Sequence, residues 1–253
     1  VEAHPPKLIH INPIGHGLDG SREISGAGLA YLLARALDGG NLDLSVFGVI
    51  GALADQQDKG EKRSFMGLNI DIEREAREAG LLETKVDLIF YGYETRPLAQ
   101  AIARTMSPFL PGLSGREDKS VALLQEIGIE LKHEGRWRTV RDLTEDERRL
   151  LFSQLSKYLL SEGCKSDLIY ELTGTIYLLP KEEPRPPLRD GPEYASLLNA
   201  CARMEKPSLG ISICLGDRGK SFDEAENLFN EYRRKIAEYL DWVQEAGRIE
   251  EKR

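Results

Sequence analysis

The feature that most constrains the fold is an apolar run at residues 44–54. Only Ser45 is polar among these eleven residues, and the run ends at Asp55. A short run that is apolar on every side is typical of a strand buried on both faces, as in a parallel sheet. A second apolar run covers residues 86–91, and a helix pattern rich in Ala and Leu at 27–37 precedes the first. The alternation predicts an α/β fold with a mostly parallel sheet.

The same pattern divides the chain into four segments. Residues 1–118 also carry a predicted strand at 7–12 and a charged helix at 70–79. We predict the following boundaries: 1–118 as an α/β part, 119–187 as a mainly helical insertion, 188–220 as a helix followed by a strand, and 221–253 as a long charged helix.

Helix and strand signals support this division. Helices are expected at 120–127 and 144–160, and Thr144 with Glu147 forms a capping box for the second. A short apolar run at 175–179 precedes a proline-rich break. A helix at 193–204 and a strand at 209–215 then follow. The last helix is expected at 223–246, with Ser221 as its N-cap.

Charge and hydropathy limit the class of protein. The formal net charge is −8 over 253 residues, which is not the global signature of a nucleic-acid binder. A local basic groove is still compatible with it, and so is an enzyme that binds a divalent metal through carboxylates. No apolar run of about 18 residues and no signal peptide is visible, so a cytoplasmic protein is expected.

Asp55 is the strongest single candidate for a functional residue. A carboxylate at the carboxyl end of a buried parallel strand faces the crevice in which α/β proteins bind ligands. Mn²⁺ and Mg²⁺ prefer oxygen ligands, so Asp55 could hold a metal ion. A cap of the following turn is the structural alternative, and position alone leaves both open.

Three other segments each allow two interpretations. Arg203, in the predicted helix 193–204, could bind a phosphate or lie on an ordinary helix surface. Glycines in 25–28 could cradle a phosphate or allow close helix packing. His16 with Asp19 superficially suggests a metal site, but a glycine turn stiffened by Asp19 is favoured. The basic stretch 136–149 is expected to form salt bridges on a solvated surface.

An ordered set of short motifs resembles one family. The motifs are Ile-Asn-Pro (11–13), Ser-Gly-Ala-Gly (25–28), Gly-Ala-Leu-Ala-Asp (51–55) and Leu-Asn-Ala-Cys-Ala-Arg-Met (198–204), followed by a long helix. This order resembles the RecJ branch of the DHH phosphoesterases, and most closely the archaeal RecJ-like nucleases associated with the GINS replication complex. The resemblance spans nearly the whole chain. It implies that 1–118 is the C-terminal part of a DHH-type catalytic domain, that 188–220 returns to this domain after the insertion 119–187, and that 221–253 is a linker helix toward a second domain.

The resemblance implies roles for three residues. Asp55 matches the last metal-ligand aspartate of the catalytic domain, which would hold one of two Mn²⁺ or Mg²⁺ ions. Asn199 and Arg203 match a motif near the substrate channel, and a direct phosphate contact of Arg203 is our own hypothesis. Ala202 stands where the family usually has Gly, so the backbone approach there is expected to differ.

The resemblance also implies what the chain does and lacks. We expect part of a metal-dependent exonuclease for single-stranded DNA or RNA, linked to replication or repair. The family's Asp-x-Asp-Gly and Asp-His-His motifs do not occur here, so we expect an internal fragment that has no nuclease activity alone. A non-catalytic replisome scaffold that binds a GINS subunit is the alternative.

Overall fold

The computed structural model describes residues 9–184 and 187–245. In that part of the chain, helices alternate with a few short strands. The elements in chain order are α1 (Gly26–Leu37), α2 (Ser45–Ala54), α3 (Leu68–Glu78), β1 (Glu83–Leu88), α4 (Leu98–Arg104), α5 (Glu117–Glu126), β2 (Lys132–His133), β3 (Arg136–Trp137), α6 (Glu145–Ser161), α7 (Ser166–Tyr170), β4 (Thr173–Leu178), α8 (Gly191–Arg203), α9 (Pro207–Cys214) and α10 (Lys220–Glu245).

Two hydrophobic cores organise these elements. The first is built from α1, α2 and α3 together with α8, α9 and α10, so it joins the two ends of the described chain. The second runs from Leu88 to Leu178 and gathers α4 to α7. The second core includes most of the predicted insertion, 119–187, and begins earlier in the sequence. The four predicted domain boundaries stay a prediction.

The apolar run 44–54 is a helix, so the strand predicted there is wrong. It forms α2, which lies against α1, α3 and α8 in the first core. Its glycines allow the neighbouring helices to come close: a Cβ on Gly48 would lie 2.9 Å from Cγ2 of Ile72, and one on Gly51 would lie 2.3 Å from the Cβ of Ala27. A helix surrounded by other helices is apolar on all sides, and periodicity alone cannot separate it from a buried strand.

The sheets of the described residues are antiparallel. β1 pairs with β4, with Glu83 opposite Leu178 and Leu88 opposite Thr173. β2 and β3 form a separate short hairpin. The predicted strand at 86–91 therefore exists with shifted bounds as β1, and it pairs antiparallel with β4, which contains most of the apolar run 175–179. A parallel sheet of a DHH-type catalytic domain is not formed within residues 9–184 and 187–245, and for the full-length protein it stays a prediction.

Two more predictions near the chain ends need correction. The strand predicted at 209–215 is helix α9, which packs against α8 and α10. Of the strand predicted at 7–12, residues 7 and 8 lie outside the described part, and 9–12 are not a strand because Asn12 caps a 3-10 helix, Pro13–His16. The last helix begins at Lys220, before the predicted N-cap Ser221, and Ala246 lies outside the described residues.

The remaining helix predictions are confirmed by α1, α3, α5, α6 and α8. Thr144 and Glu147 form the predicted capping box of α6. Glu147 also binds Arg138, with Nη2 and Oε2 2.6 Å apart, so the basic stretch is salt-bridged as expected, but Arg138 is nearly buried and not solvated. This hydrogen-bonded pair lowers the pKa of Glu147 to about 2.

The two glycine-rich loop segments have structural roles. The Asp19 carboxylate accepts hydrogen bonds from the backbone N–H and the hydroxyl of Ser21, at 2.8 and 2.6 Å, which confirms the stiffened turn. A Cβ on Gly28 would lie 2.8 Å from Ile24 Cδ1 and 3.0 Å from Ile72 Cδ1. Close packing therefore explains Gly28. In the described part of the chain, no helix has the length and apolar character to cross a membrane.

The close contact between α1 and α2 yields a stability prediction. We expect Gly51→Ala to lower the free energy of unfolding by about 1–3 kcal/mol in urea titrations, because the added methyl would overlap Ala27. Helix propensity alone predicts the opposite sign, a gain of about 1 kcal/mol. The control is Gly26→Ala, where a Cβ meets nothing within 4 Å. A Gly51→Ala protein as stable as the control would contradict this packing.

Candidate functional site: a basic groove between the two cores

A groove of about 980 Å³ lies where the two cores meet. On the side of the first core it is lined by the end of α2, the loop after it, and one face each of α8 and α10. On the other side it is lined by residues 89–91, the end of α4 with the loop to Ser107, and residues 170–177. Both cores therefore contribute side chains to one cavity.

The groove is basic although the chain is acidic. Six Lys and Arg side chains line it, against four Asp and Glu, while the whole chain has a net charge of −8. The basic residues are Lys59, Lys62, Arg63, Arg104, Arg203 and Arg233. Because low-dielectric walls concentrate the field of such a cluster, the groove is suited to an anionic ligand.

The structure brings the three residues predicted from sequence to neighbouring places. Asn199 lines the groove, and its Nδ2 donates a hydrogen bond to the carbonyl of Ala54 at 3.2 Å. Asp55 is the next residue and forms the C-cap of α2. Arg203 lies one turn further along α8, where Nη1 donates to the hydroxyl of Tyr232 at 3.0 Å. Asn199 thus ties α8 to the segment that carries Asp55.

Asp55 does not end a strand, so the geometric reason for its prediction was wrong. Its side chain is exposed and makes no hydrogen bond or ion pair with the described residues, and it is not among the residues that line the groove. A turn-capping role for the carboxylate is therefore not seen. A free carboxylate at the C-terminus of a helix lies against the negative end of the helix dipole, which is unfavourable by about 0.3–1 kcal/mol.

The residues near Asp55 do not make a metal centre by themselves. Among residues 9–184 and 187–245, no three His, Cys, Asp or Glu side chains are grouped so that they could hold an ion. A two-metal site needs several ligands for ions about 4 Å apart. Asp55 could supply one of these ligands, and this part of the chain does not supply the rest.

Two buried carboxylates join the cores beside the groove. Glu193, in the first turn of α8, accepts hydrogen bonds from the Thr95 hydroxyl and from Arg96 Nε, the latter at 2.7 Å. Asp190 is the N-cap of α8 and accepts from the backbone N–H groups of Glu193 and Tyr93, at 3.1 and 3.0 Å. Burial, and then the charge of Glu193, raise the pKa of Asp190.

Sequence reasoning missed the cationic side chains opposite Asn199. Arg104 ends α4, and Arg233 lies on α10 between the rings of Tyr91 and Phe229, with its guanidinium carbon 5.3 and 4.9 Å from their centres. Both arginines belong to segments that look like ordinary amphipathic helices. Asp190 and Glu193 carried a usable signal, because an Asp three residues before a Glu marks a helix start.

Comparisons with known proteins gave one domain match and one match to a longer relative. Residues 90–173 match the family model described as the DHH-CID domain. The chain is 31% identical, over 226 residues, to an uncharacterized protein of Methanocaldococcus jannaschii. That match covers 86% of the chain and 46% of the relative, so the chain spans about half the relative's length. The domain match supports the DHH-family part of the resemblance, and the RecJ-like nuclease stays a prediction.

The buried carboxylates give a pH prediction. Because its pKa is raised in the fold, Asp190 keeps its proton to higher pH in the folded than in the unfolded chain. Its stabilising contribution is therefore complete below its ordinary pKa of 3.8 and is lost as the pH rises toward the raised value. We expect the unfolding free energy of the unaltered chain, relative to Asp190→Asn, to fall as the pH rises above about 4.

The matched control for this experiment is Asp118→Asn. Asp118 is exposed, and its hydrogen bond with Arg116 lowers its pKa to about 2. The difference in unfolding free energy between the unaltered chain and Asp118→Asn should therefore stay constant above pH 4. A constant difference in unfolding free energy between the unaltered chain and Asp190→Asn over the same pH range would contradict the raised pKa of Asp190.

Proposed function

We propose that this chain belongs to a metal-dependent exonuclease. The premise is that the chain is of the DHH family and has a DHH-CID domain at residues 90–173. The substrate would be single-stranded DNA or RNA, in replication or repair. The observation that carries the proposal is the groove between the cores, which is basic in an acidic chain and lined by Asn199 and Arg203.

The chain's own part in the reaction is to bind and orient the strand. Arg203 keeps further N–H donors free after its bond to Tyr232, and an arginine fork matches the oxygens of a phosphate. Asn199 acts through the main chain, because its bond to Ala54 fixes the loop that presents Asp55. Non-specific binding of single strands combines such a basic groove with aromatic side chains, and the partly exposed Tyr91 and Tyr232 line this one.

A divalent ion would supply the activated water and stabilise charge on the phosphate. We propose that Asp55 contributes one carboxylate to the site for Mn²⁺ or Mg²⁺, which the rest of the full-length protein would complete. Its exposed and unbonded carboxylate at a helix C-terminus supports this, because a cation there would offset an unfavourable charge arrangement.

A non-catalytic scaffold that binds a GINS subunit is the second candidate. It is favoured by large apolar side chains that are more than half exposed on the DHH-CID segment, namely Met106, Phe109, Trp137 and Tyr170. Such residues mark a protein interface where they form one contiguous patch. Binding of GINS by a full-length protein that cleaves no strand in Mn²⁺ would favour the scaffold over the nuclease.

The groove makes a prediction for Arg203. We expect Arg203→Ala to weaken binding of a short single-stranded DNA about tenfold, measured by fluorescence anisotropy, because one charged hydrogen bond to phosphate is lost. The plot of log affinity against log salt should become shallower by about 0.7. Arg149→Ala is the control, since Arg149 is exposed on α6 and pairs only with Glu145 among the described residues. Equal affinity of the two variants would refute the role of Arg203.

Asp55 has a separate test in the full-length protein. We expect Asp55→Asn to lower Mn²⁺-dependent cleavage of single-stranded DNA by about tenfold or more, with strand affinity in the absence of metal unchanged. Asp43→Asn is the matched control, because Asp43 is an exposed carboxylate at the opposite end of α2. Cleavage at the unaltered rate by Asp55→Asn would contradict its assignment as a ligand.

A further inference from the structure

Arg104 and Arg233 face the groove from its two sides. Arg104 is the last residue of α4, within the DHH-CID segment, and Arg233 lies on α10 of the first core. Both side chains line the same groove, and the charge of Arg233 lowers the pKa of Arg104, after the larger effect of burial. Two like charges are thus held together in a partly buried place.

Arg233 is fixed by aromatic rings and not by a carboxylate. Its guanidinium lies between Tyr91 and Phe229, which contact it through their ring faces. Stacking of this kind orients the guanidinium plane and leaves the N–H groups at its edge available. Among the described residues, no acidic side chain forms an ion pair with Arg233.

Arg104 also forms no ion pair within residues 9–184 and 187–245; burial lowers its pKa most, and the charge of Glu193 acts in the opposite direction. The nearby carboxylates are already engaged: Glu193 by Thr95 and Arg96, and Asp190 by two backbone N–H groups. Arg96 adds a third positive charge that lowers the pKa of Arg104. An unpaired, partly buried guanidinium is unfavourable unless an anion compensates it.

We propose that Arg104 and Arg233 form a phosphate subsite, which binds a backbone phosphate of the same single strand that Arg203 contacts. Arg203 reaches Tyr232, and Tyr232 and Arg233 both line the groove, so the two arginines lie at neighbouring places in it. The strand would then cross from α8 toward α4, and the DHH-CID segment would take part in binding it. This direction of the strand rests on the proposed function, whereas the phosphate chemistry of the subsite does not.

The experiment compares Arg104→Gln and Arg233→Gln with the control Arg149→Gln in the same chain. Thermal unfolding is followed with increasing inorganic phosphate at constant ionic strength, since a ligand that binds the folded state raises the melting temperature. The affinity for a short single-stranded DNA is measured by anisotropy, with a methylphosphonate oligonucleotide of the same sequence as the uncharged probe.

The subsite predicts a specific set of results. Phosphate should raise the melting temperature of the unaltered chain and of Arg149→Gln, but not of the two groove variants. Both groove variants should bind the DNA about tenfold more weakly, and the methylphosphonate strand should bind equally weakly to all. Without ligand, Arg104→Gln should melt at the same temperature as the unaltered chain or higher, because a repulsion between like charges is removed.

Two results would overturn the subsite and one would separate it from the proposed function. A lower melting temperature of Arg104→Gln without ligand would make Arg104 a structural residue. If Arg104→Gln and Arg233→Gln keep the DNA affinity and the phosphate stabilisation of the unaltered chain while Arg203→Ala binds DNA more weakly, the subsite is overturned and the proposed function stands. Phosphate stabilisation that depends on Arg104 in a chain without DNA affinity would support the subsite for free phosphate and overturn the strand-binding function.

Discussion

The contact between the start of α8 and the loop after β1 determines the geometry of the groove. There, buried Glu193 binds Thr95 and Arg96, and Asp190 binds the backbone of Tyr93. A buried carboxylate is tolerated only when it is fully hydrogen-bonded, so these bonds hold the second core against the first. Because both carboxylates are used in this contact, they form no ion pair with Arg104 or Arg233, and these two arginines add to the positive charge of the groove.

Most of the helices could be predicted from the sequence, but whether the longest apolar run forms a helix or a strand could not. Capping signals identify the start of α6, and an Ala/Leu pattern identifies α1. The run 44–54 carries no periodicity because α2 is packed against helices on several sides. The glycines of this run indicate a helix, because Gly48 and Gly51 lie three residues apart and allow close contact with other helices. A strand needs no such spacing.

Only the part of the candidate site that belongs to a sequence motif could be predicted. Asn199 and Arg203 came from a motif and do line the groove, and Asn199 binds the residue next to Asp55. Arg104 and Arg233 could not be recognised, because they lie 129 positions apart and meet only when the second core packs on the first. Asp55 was chosen for a strand end that does not exist, so its proposed role now depends on the family resemblance and on its free carboxylate.

The central claim is that the groove binds single-stranded nucleic acid through its phosphates. Its most direct test is the affinity of the unaltered chain for a short single-stranded DNA across a range of salt concentrations. Three arginine contacts predict that log affinity falls with log salt with a slope of about −2, because each neutralised phosphate releases counterions. No binding at low salt, or an affinity that does not change with salt, would contradict the account.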